Sequence, residues 1–269
     1  MDELPLGRET GYADTYDPAL LYPIARADGR ATLGLGEPLP FRGRDRWTAW
    51  ELSWLDTAGC PVAAVLYCDV PADSPRLVES KSLKLYLNGF AMTRFDSADA
   101  VRDSIAADLR QATGSPVAVR LVTSSAAAEC RIAALPGDGI DHLDVHCERY
   151  DCDAELLRAD GPAVEETLHS HLLRSLCPVT GQPDTGSLLL RYRGPRIDRA
   201  SLLRYIVSFR RHSDFHELCV ERIFRDLVAR CRCESLVVYA LYNRRGGIDI
   251  NPYRSSGDEE PPRLRSWRQ

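Results

Sequence analysis

Residues 79–90, ESKSLKLYLNGF, and residues 198–209, DRASLLRYIVSF, align without a gap. Identities fall at Ser82/Ser201, Leu83/Leu202, Tyr86/Tyr205 and Phe90/Phe209, and the match continues to Val101/Val220, an offset of 119 (198 minus 79). A segment repeated at that distance marks a duplicated unit. Both copies read as strand-like, and each precedes a helical pattern. In the second, Asp214 caps a helix with Glu217 three residues on, and Leu218, Cys219, Ile223, Phe224, Leu227, Val228 and Cys231 form its apolar face. In the first, Asp96 or Ser97 opens a helix carrying Val101, Ile105 and Leu109. Strand candidates flank each copy: 48–55, 62–70, 117–123 and 130–134 in the first, 167–176, 187–193, 235–243 and 248–251 in the second. The expected class is α+β, two antiparallel modules over roughly 20–140 and 146–255. The chain then divides as 1–145 and 146–269, with the acidic stretch 136–153 as linker.

At 269 residues the chain suffices for one large domain or two ordinary ones. A net charge of −5 and a pI near 5.7 argue against binding nucleic-acid phosphates, yet leave room for a nucleotide-sized ligand held by two or three basic side chains. No apolar run approaches a membrane span, and MDELPLGRET lacks a basic flank followed by an apolar stretch, so a cytoplasmic protein with no membrane partner is expected. The nine cysteines contain no Cys-x-x-Cys. The one metal-like cluster, DHLDVHCERYDC with His142, His146, Cys147 and Cys152, is sparse and Asp-rich like a solvated linker, and no metal is expected. LGLGEP (33–38) runs into Pro38 and opens no helix, so a Rossmann site is excluded.

Chemistry concentrates in SLCPVTGQPDTG (175–186). Cys177 ends an alternating strand, with His169, His171, Leu173 and Ser175 on its side, and a Gly/Pro turn returns Asp184 toward the thiol. The plain alternative is a half-buried thiol, since free cysteine is among the most buried residue types. A carboxylate beside a thiol does not lower its pKa, but it can take and return a proton. Cys60 also begins a CPV triplet, but it sits in a hairpin turn with no such aspartate. In DFHELC (214–219), Glu217 reads as a capping residue or, with His216, as the reader of a flat heterocycle's N–H edge; Phe215 offers a stacking surface. ESKSLKLY is either a Lys-guarded edge strand, or Glu79 reads a donor pair while Ser80 and Lys81 meet a phosphate. NRRGGID (243–249) is a hairpin turn that could bring guanidinium and free N–H groups to a diphosphate. Cys231 and Cys233 read as core thiols closing a helix.

Together ESKSLKLYLNGF, SLCPVTGQPDTG, DFHELC and RRGGIDINPYRS resemble the NADPH-dependent 7-cyano-7-deazaguanine reductases, the nitrile reductase family of queuosine biosynthesis, from about residue 12 to 255. The resemblance implies tandem tunnelling-fold modules, each an antiparallel four-stranded sheet with helices on one face, in a two-module chain that pairs as a homodimer. It implies Cys177 as the nucleophile forming a thioimide, Asp184 as the proton-handling group, and two hydride transfers from NADPH yielding 7-aminomethyl-7-deazaguanine. Val78, Glu79, Ser80, His216 and Glu217 would hold the substrate ring, and Ser80, Lys81, Arg245 and Gly246 the NADPH, with no metal. CPVTGQPD resembles the family's one-module form, although the layout is that of the long form. RFDSADA has no His-Glu pair, so one site per chain is expected. The rival readings are a non-catalytic deazaguanine or pterin binder and a zinc-dependent cyclohydrolase of related fold.

Overall fold

The structure is a computed structural model and describes residues 14–124, 126 and 130–269; the MDELPLGRET stretch lies outside them. The chain divides into a unit comprising Met1–Gly36, Arg44–Arg131 and Arg244–Ile250, and a unit comprising Glu37–Gly43, Ile132–Asn243 and Asn251–Gln269. In the first lie β1 (Pro23–Ala25), α1 (Arg26–Thr32), β2 (Arg42–Leu55, entering from the second unit), β3 (Pro61–Pro71), β4 (Arg76–Val78), α2 (Ser80–Asn88), α3 (Ala98–Thr113) and β5 (Ala118–Thr123). Its sheet runs β5-β3-β2, all antiparallel, while β1 pairs separately with β4. Trp54, Leu66, Leu83, Tyr86, Phe90, Val101, Ile105 and Leu109 share its core.

In the second lie β6 (Asp138–Gly139), β7 (Ala163–Leu176), β8 (Pro183–Pro195), α4 (Arg199–Ser208), α5 (His216–Cys231), β9 (Ser235–Tyr242) and most of β10 (Ile248–Ser255). The order is β10-β9-β8-β7-β6; all pairs are antiparallel except the two-residue parallel pairing of β6 on β7. The architecture is α+β. Several expected details differ. Over 130–134 the only bridge outside a named strand is Ile132 to Arg265, and the stretch 136–153 belongs to the second unit and contributes β6.

The repeated segments are helices, α2 and α4, where strands were expected. Leu83, Tyr86, Leu87 and Phe90 recur at i, i+3, i+4 and i+7, the helical period, and all are buried. Both Glu79 carboxylate oxygens accept backbone N–H groups, from Lys81 at 2.8 Å and Ser82 at 2.8 Å; Asp198 caps α4 through the Ser201 N–H at 2.7 Å. The shared residues do the same work twice. Ser82 donates to the Glu79 carbonyl and Ser201 to that of Asp198, each at 2.7 Å. Tyr86 donates to Asp108 at 2.7 Å and Tyr205 to Asp226 at 2.8 Å, tying each helix to the next.

α3 starts as expected, with Ser97 accepting the Ala100 N–H at 3.1 Å, and ends at Gly114 in the left-handed region. The expected capping box of α5 does not form. Asp214 donates its N–H to Leu176 O at 3.1 Å, which holds it alongside β7, and the helix starts one residue later with Phe215 at the cap.

Long strands β2 and β7 each carry a register shift, between Ala49 and Leu52 and between Ser170 and Leu173. The second reverses the expected alternation. Leu168 and Ser170 are buried before it and Leu173, Ser175 and Cys177 after it, so His169 and His171 do not share the cysteine's face. Asp141 closes this bulge, accepting the Ser170 hydroxyl at 2.5 Å and the His171 N–H at 2.8 Å.

Ser97→Ala is expected to cost about 1 kcal/mol in denaturant unfolding. Burial, then the hydrogen bond to Asp108, pushes the Tyr16 hydroxyl up to about 12, and Tyr86 is raised for the same reasons. A raised folded-state value means the contribution is intact below pH 10, the ordinary value, and is lost as pH climbs toward about 12. The melting temperature should therefore fall across that window together with rising tyrosinate absorbance, and Asp108→Asn should change the fall.

Candidate active site

One parallel bridge sets the geometry of the second unit's site. At the end of β7, Leu176 donates to His212 O at 2.8 Å and accepts from Asp214 at 3.1 Å. The strand end and the approach to α5 are thereby fixed side by side. Cys177 is the next residue, in a turn closed by its N–H to Gln182 O at 2.9 Å and by Gly181 N–H to its carbonyl at 2.9 Å; Gly181 has φ +67°. β8 then returns with Asp184 directly across from Ser175. Both Cys177 and Asp184 are buried, at 4% and 2% exposure.

From the first turn of α5, His216 places Nε2 3.2 Å from Asp184 Oδ2, off the line of a good hydrogen bond but close enough to exchange a proton on small movement. Its ring lies flat on Tyr242, centroids 3.9 Å apart and planes at 15°. Glu217 follows, buried. The structure thus gathers Cys177, Asp184, His216 and Glu217 in one unit. Cys219, the nearby buried thiol, is held well above the ordinary thiol value first by burial, and Tyr242 is raised for the same first cause with Cys219 and Asp184 adding to it. Both stay neutral at working pH. Sequence reasoning missed Tyr242, which is simply the last residue of an apolar strand.

The other expected residues lie in the first unit. Val78 ends β4, and Glu79, Ser80 and Lys81 open α2. Glu79 is 1% exposed and reads its own helix's N–H groups, contrary to the strand picture; Oε1 also accepts the Ser80 hydroxyl at 3.4 Å, while Oε2 keeps a second lone pair. Arg245 and Gly246 lie in the turn before β10, where Gly246 and Gly247 have φ +61° and +83°. The positive φ of Gly246 favours glycine, and a Cβ there would fall 2.8 Å from both Cδ and Nζ of Lys84, so the turn backbone lies close against that side chain. Arg244 sits over Trp50 at 5.1 Å. Basic groups from α2 and this turn, with exposed turn backbone, fit a dinucleotide's phosphates. Lys84 lies against the expected Gly246 and Arg244 precedes the expected Arg245; the i, i+3 spacing of Lys81 and Lys84 was obscured by the strand reading.

The first unit repeats the bridge without the chemistry. Leu55 donates to Thr93 O at 3.0 Å and accepts from Phe95 at 2.9 Å. By that equivalence Asp56 stands where Cys177 stands, and Val62, opposite Trp54, stands where Asp184 does. Arg94 covers the turn, donating to Thr57 O at 2.6 Å. Cys60 is exposed in that turn. Among the described residues no three His, Cys, Asp or Glu side chains converge as metal ligands, and no helix is long and apolar enough to cross a membrane.

Burial pushes Cys152 and Cys231 up to about 12 and Cys233 to about 11. Iodoacetamide at pH 8 should therefore label Cys60 in the folded chain and leave these three and Cys219 unmodified on peptide mapping. Labelling of Cys219 as fast as Cys60 would contradict its placement.

Comparison with known proteins adds a family to this geometry. The family model described as "Nitrile reductase, 7-cyano-7-deazaguanine-reductase N-term" matches residues 12–121, and that described as "QueF-like protein" matches residues 183–261. A protein of Chromohalobacter salexigens named NADPH-dependent 7-cyano-7-deazaguanine reductase is 55% identical over 97% of this chain and 95% of its own length. Proteins of the same name from Azoarcus sp. and Burkholderia lata are 56% and 53% identical, covering 95% and 96% of this chain and 92% and 95% of theirs. The solved archaeosine synthase QueF-Like in the apo form covers 37% of this chain at 17% identity with a TM-score of 0.30, too distant to bear on the fold. With end-to-end relatives more than half identical, the chain belongs to the NADPH-dependent 7-cyano-7-deazaguanine reductase family.

Proposed function

We propose that this chain reduces the nitrile of 7-cyano-7-deazaguanine to the aminomethyl group, consuming two NADPH, as a step of queuosine biosynthesis in the cytoplasm. The observation that carries the reading is the Asp184–His216 pair, 3.2 Å apart, beside the turn that presents Cys177. Cys177 Sγ adds to the nitrile carbon, one π bond of C≡N breaks, and the thiol proton passes to nitrogen with Asp184 as relay. The product is a thioimide, a better hydride acceptor than the nitrile. NADPH, when bound, supplies the two hydrides. After the first, Cys177 leaves as thiolate and the carbon becomes an imine; Asp184 and His216 then deliver protons to nitrogen as the imine becomes the amine. Burial of Cys177 and Asp184 keeps water from the imine.

The substrate ring is assigned to Val78, Glu79, Ser80, His216 and Glu217, and NADPH to Ser80, Lys81, Arg245 and Gly246. Lys84 stands against the Gly246 turn and supports the second assignment. The duplicated cap and Tyr–Asp pairs support a tandem of tunnelling-fold modules; the division into 1–145 and 146–269 and the assembly as a homodimer rest on the family reading alone.

The test is nicotinamide absorbance with NADPH and 7-cyano-7-deazaguanine. The chain should consume two NADPH per nitrile, Cys177→Ala none, and Asp184→Asn should turn over about 10²- to 10⁴-fold more slowly. Substrate binding without NADPH loss would make the chain a deazaguanine-binding module instead.

A further inference from the structure

We infer that Tyr242 is a positioning residue: its ring fixes the plane of the His216 imidazole so that Nε2 addresses Asp184. The inference rests on the reductase reading of that pair. A histidine in the first turn of a helix has two side-chain torsions to settle. Asp184 restrains one end of the ring, at 3.2 Å, and only a flat neighbour restrains its tilt. Tyr242 is that neighbour, 3.9 Å away at 15° and fully buried.

Three features hold Tyr242 itself. Its N–H donates to Asn251 Oδ1 at 3.2 Å, and its carbonyl accepts from Gln269 Nε2 at 3.1 Å. Gln269 Nε2 also donates to Asn251 Oδ1 at 2.7 Å, closing a small ring of hydrogen bonds behind the residue. Across the ladder stands Gly186, where a Cβ would come within 3.0 Å of the Leu241 carbonyl oxygen and 3.2 Å of the Tyr242 ring. The last glycine of SLCPVTGQPDTG thus makes room for the ring that backs His216.

The hydroxyl carries none of this. It faces the side chains of Ser175 and Cys219, so the contact with His216 is made by the ring face. Phenylalanine should therefore serve in its place and an aliphatic side chain should not.

The experiment is a double-mutant cycle between Tyr242→Leu and His216→Ala, with Tyr242→Phe as the conservative control. It is read as kcat/KM for NADPH consumption and, in chains also carrying Cys177→Ala, as affinity for 7-cyano-7-deazaguanine. Tyr242→Leu is expected to lower kcat/KM by about tenfold or more when His216 is present and by less than about twofold when it is absent, because coupled residues fail to add. Tyr242→Phe should restore activity to within about threefold of the unaltered chain. If Tyr242→Leu melts early, Tyr242→Met, whose flexible side chain adapts to fill the buried space but likewise lacks a flat face, replaces it in the cycle. Equal losses with and without His216, or a phenylalanine variant as damaged as the leucine one, would overturn the inference. An unaltered chain that consumes no NADPH would instead overturn the reductase reading.

Discussion

The hydrogen bonds from Leu176 to His212 and from Asp214 to Leu176 govern what this fold can do. They join a strand end to the segment that enters a helix, so residues far apart in sequence meet within a few positions of one bridge. Cys177 lies one residue beyond it on one side and His216 two residues beyond Asp214 on the other. Asp184 arrives by the hairpin that starts at Cys177. Because the bridge is made of backbone, it places these positions whatever side chains they carry. That independence let the same device be copied at Leu55, Thr93 and Phe95 with Asp56 where Cys177 stands, Val62 where Asp184 stands, and an arginine covering the turn. Fold and chemistry separate cleanly here.

The two copies also show which parts of a repeat persist. The serine that braces each helix start and the tyrosine that ties each helix to the next are retained, each with the same acceptor. The first turn of the second helix is not. In α3 Ser97 is an efficient cap, whereas α5 begins at Phe215 with no side-chain cap and spends its first turn on His216 and Glu217. The second copy gives up local helix stability where the first keeps it.

Much of this was legible in the sequence. The α+β class, the duplication, the paired strands, the Ser97 cap and the Cys177–Asp184 turn follow from turn residues and periodicity, and the four motifs pointed to the family. The reading of α2 and α4 as strands failed because each is one short apolar segment interrupted by polar residues, lysines and serines in α2 and arginines and serines in α4, that suggest alternation; the helical spacing of Leu83, Tyr86, Leu87 and Phe90 was present but unweighted. The missing capping box and the altered phase of β7 were not legible. Both depend on partners distant in sequence, Leu176 for Asp214 and Asp141 for the bulge. Tyr242 escaped notice for a related reason: an aromatic residue ending a buried strand carries no local sign of which ring it will face.

The bulge at Ser170–Leu173 has one more effect, on colloidal behaviour. β7 lies toward the margin of its unit's sheet, and β6 pairs with it only at Leu168 and His169. A long uncovered margin of this kind is a template on which another chain can add a strand. Here the His171 amide is taken by the Asp141 carboxylate, the Leu172 amide turns back to the Ser170 hydroxyl, and the Leu176 amide is taken by His212. The irregularity that carries the cysteine onto the buried face also leaves a stranger's backbone few amides to grip.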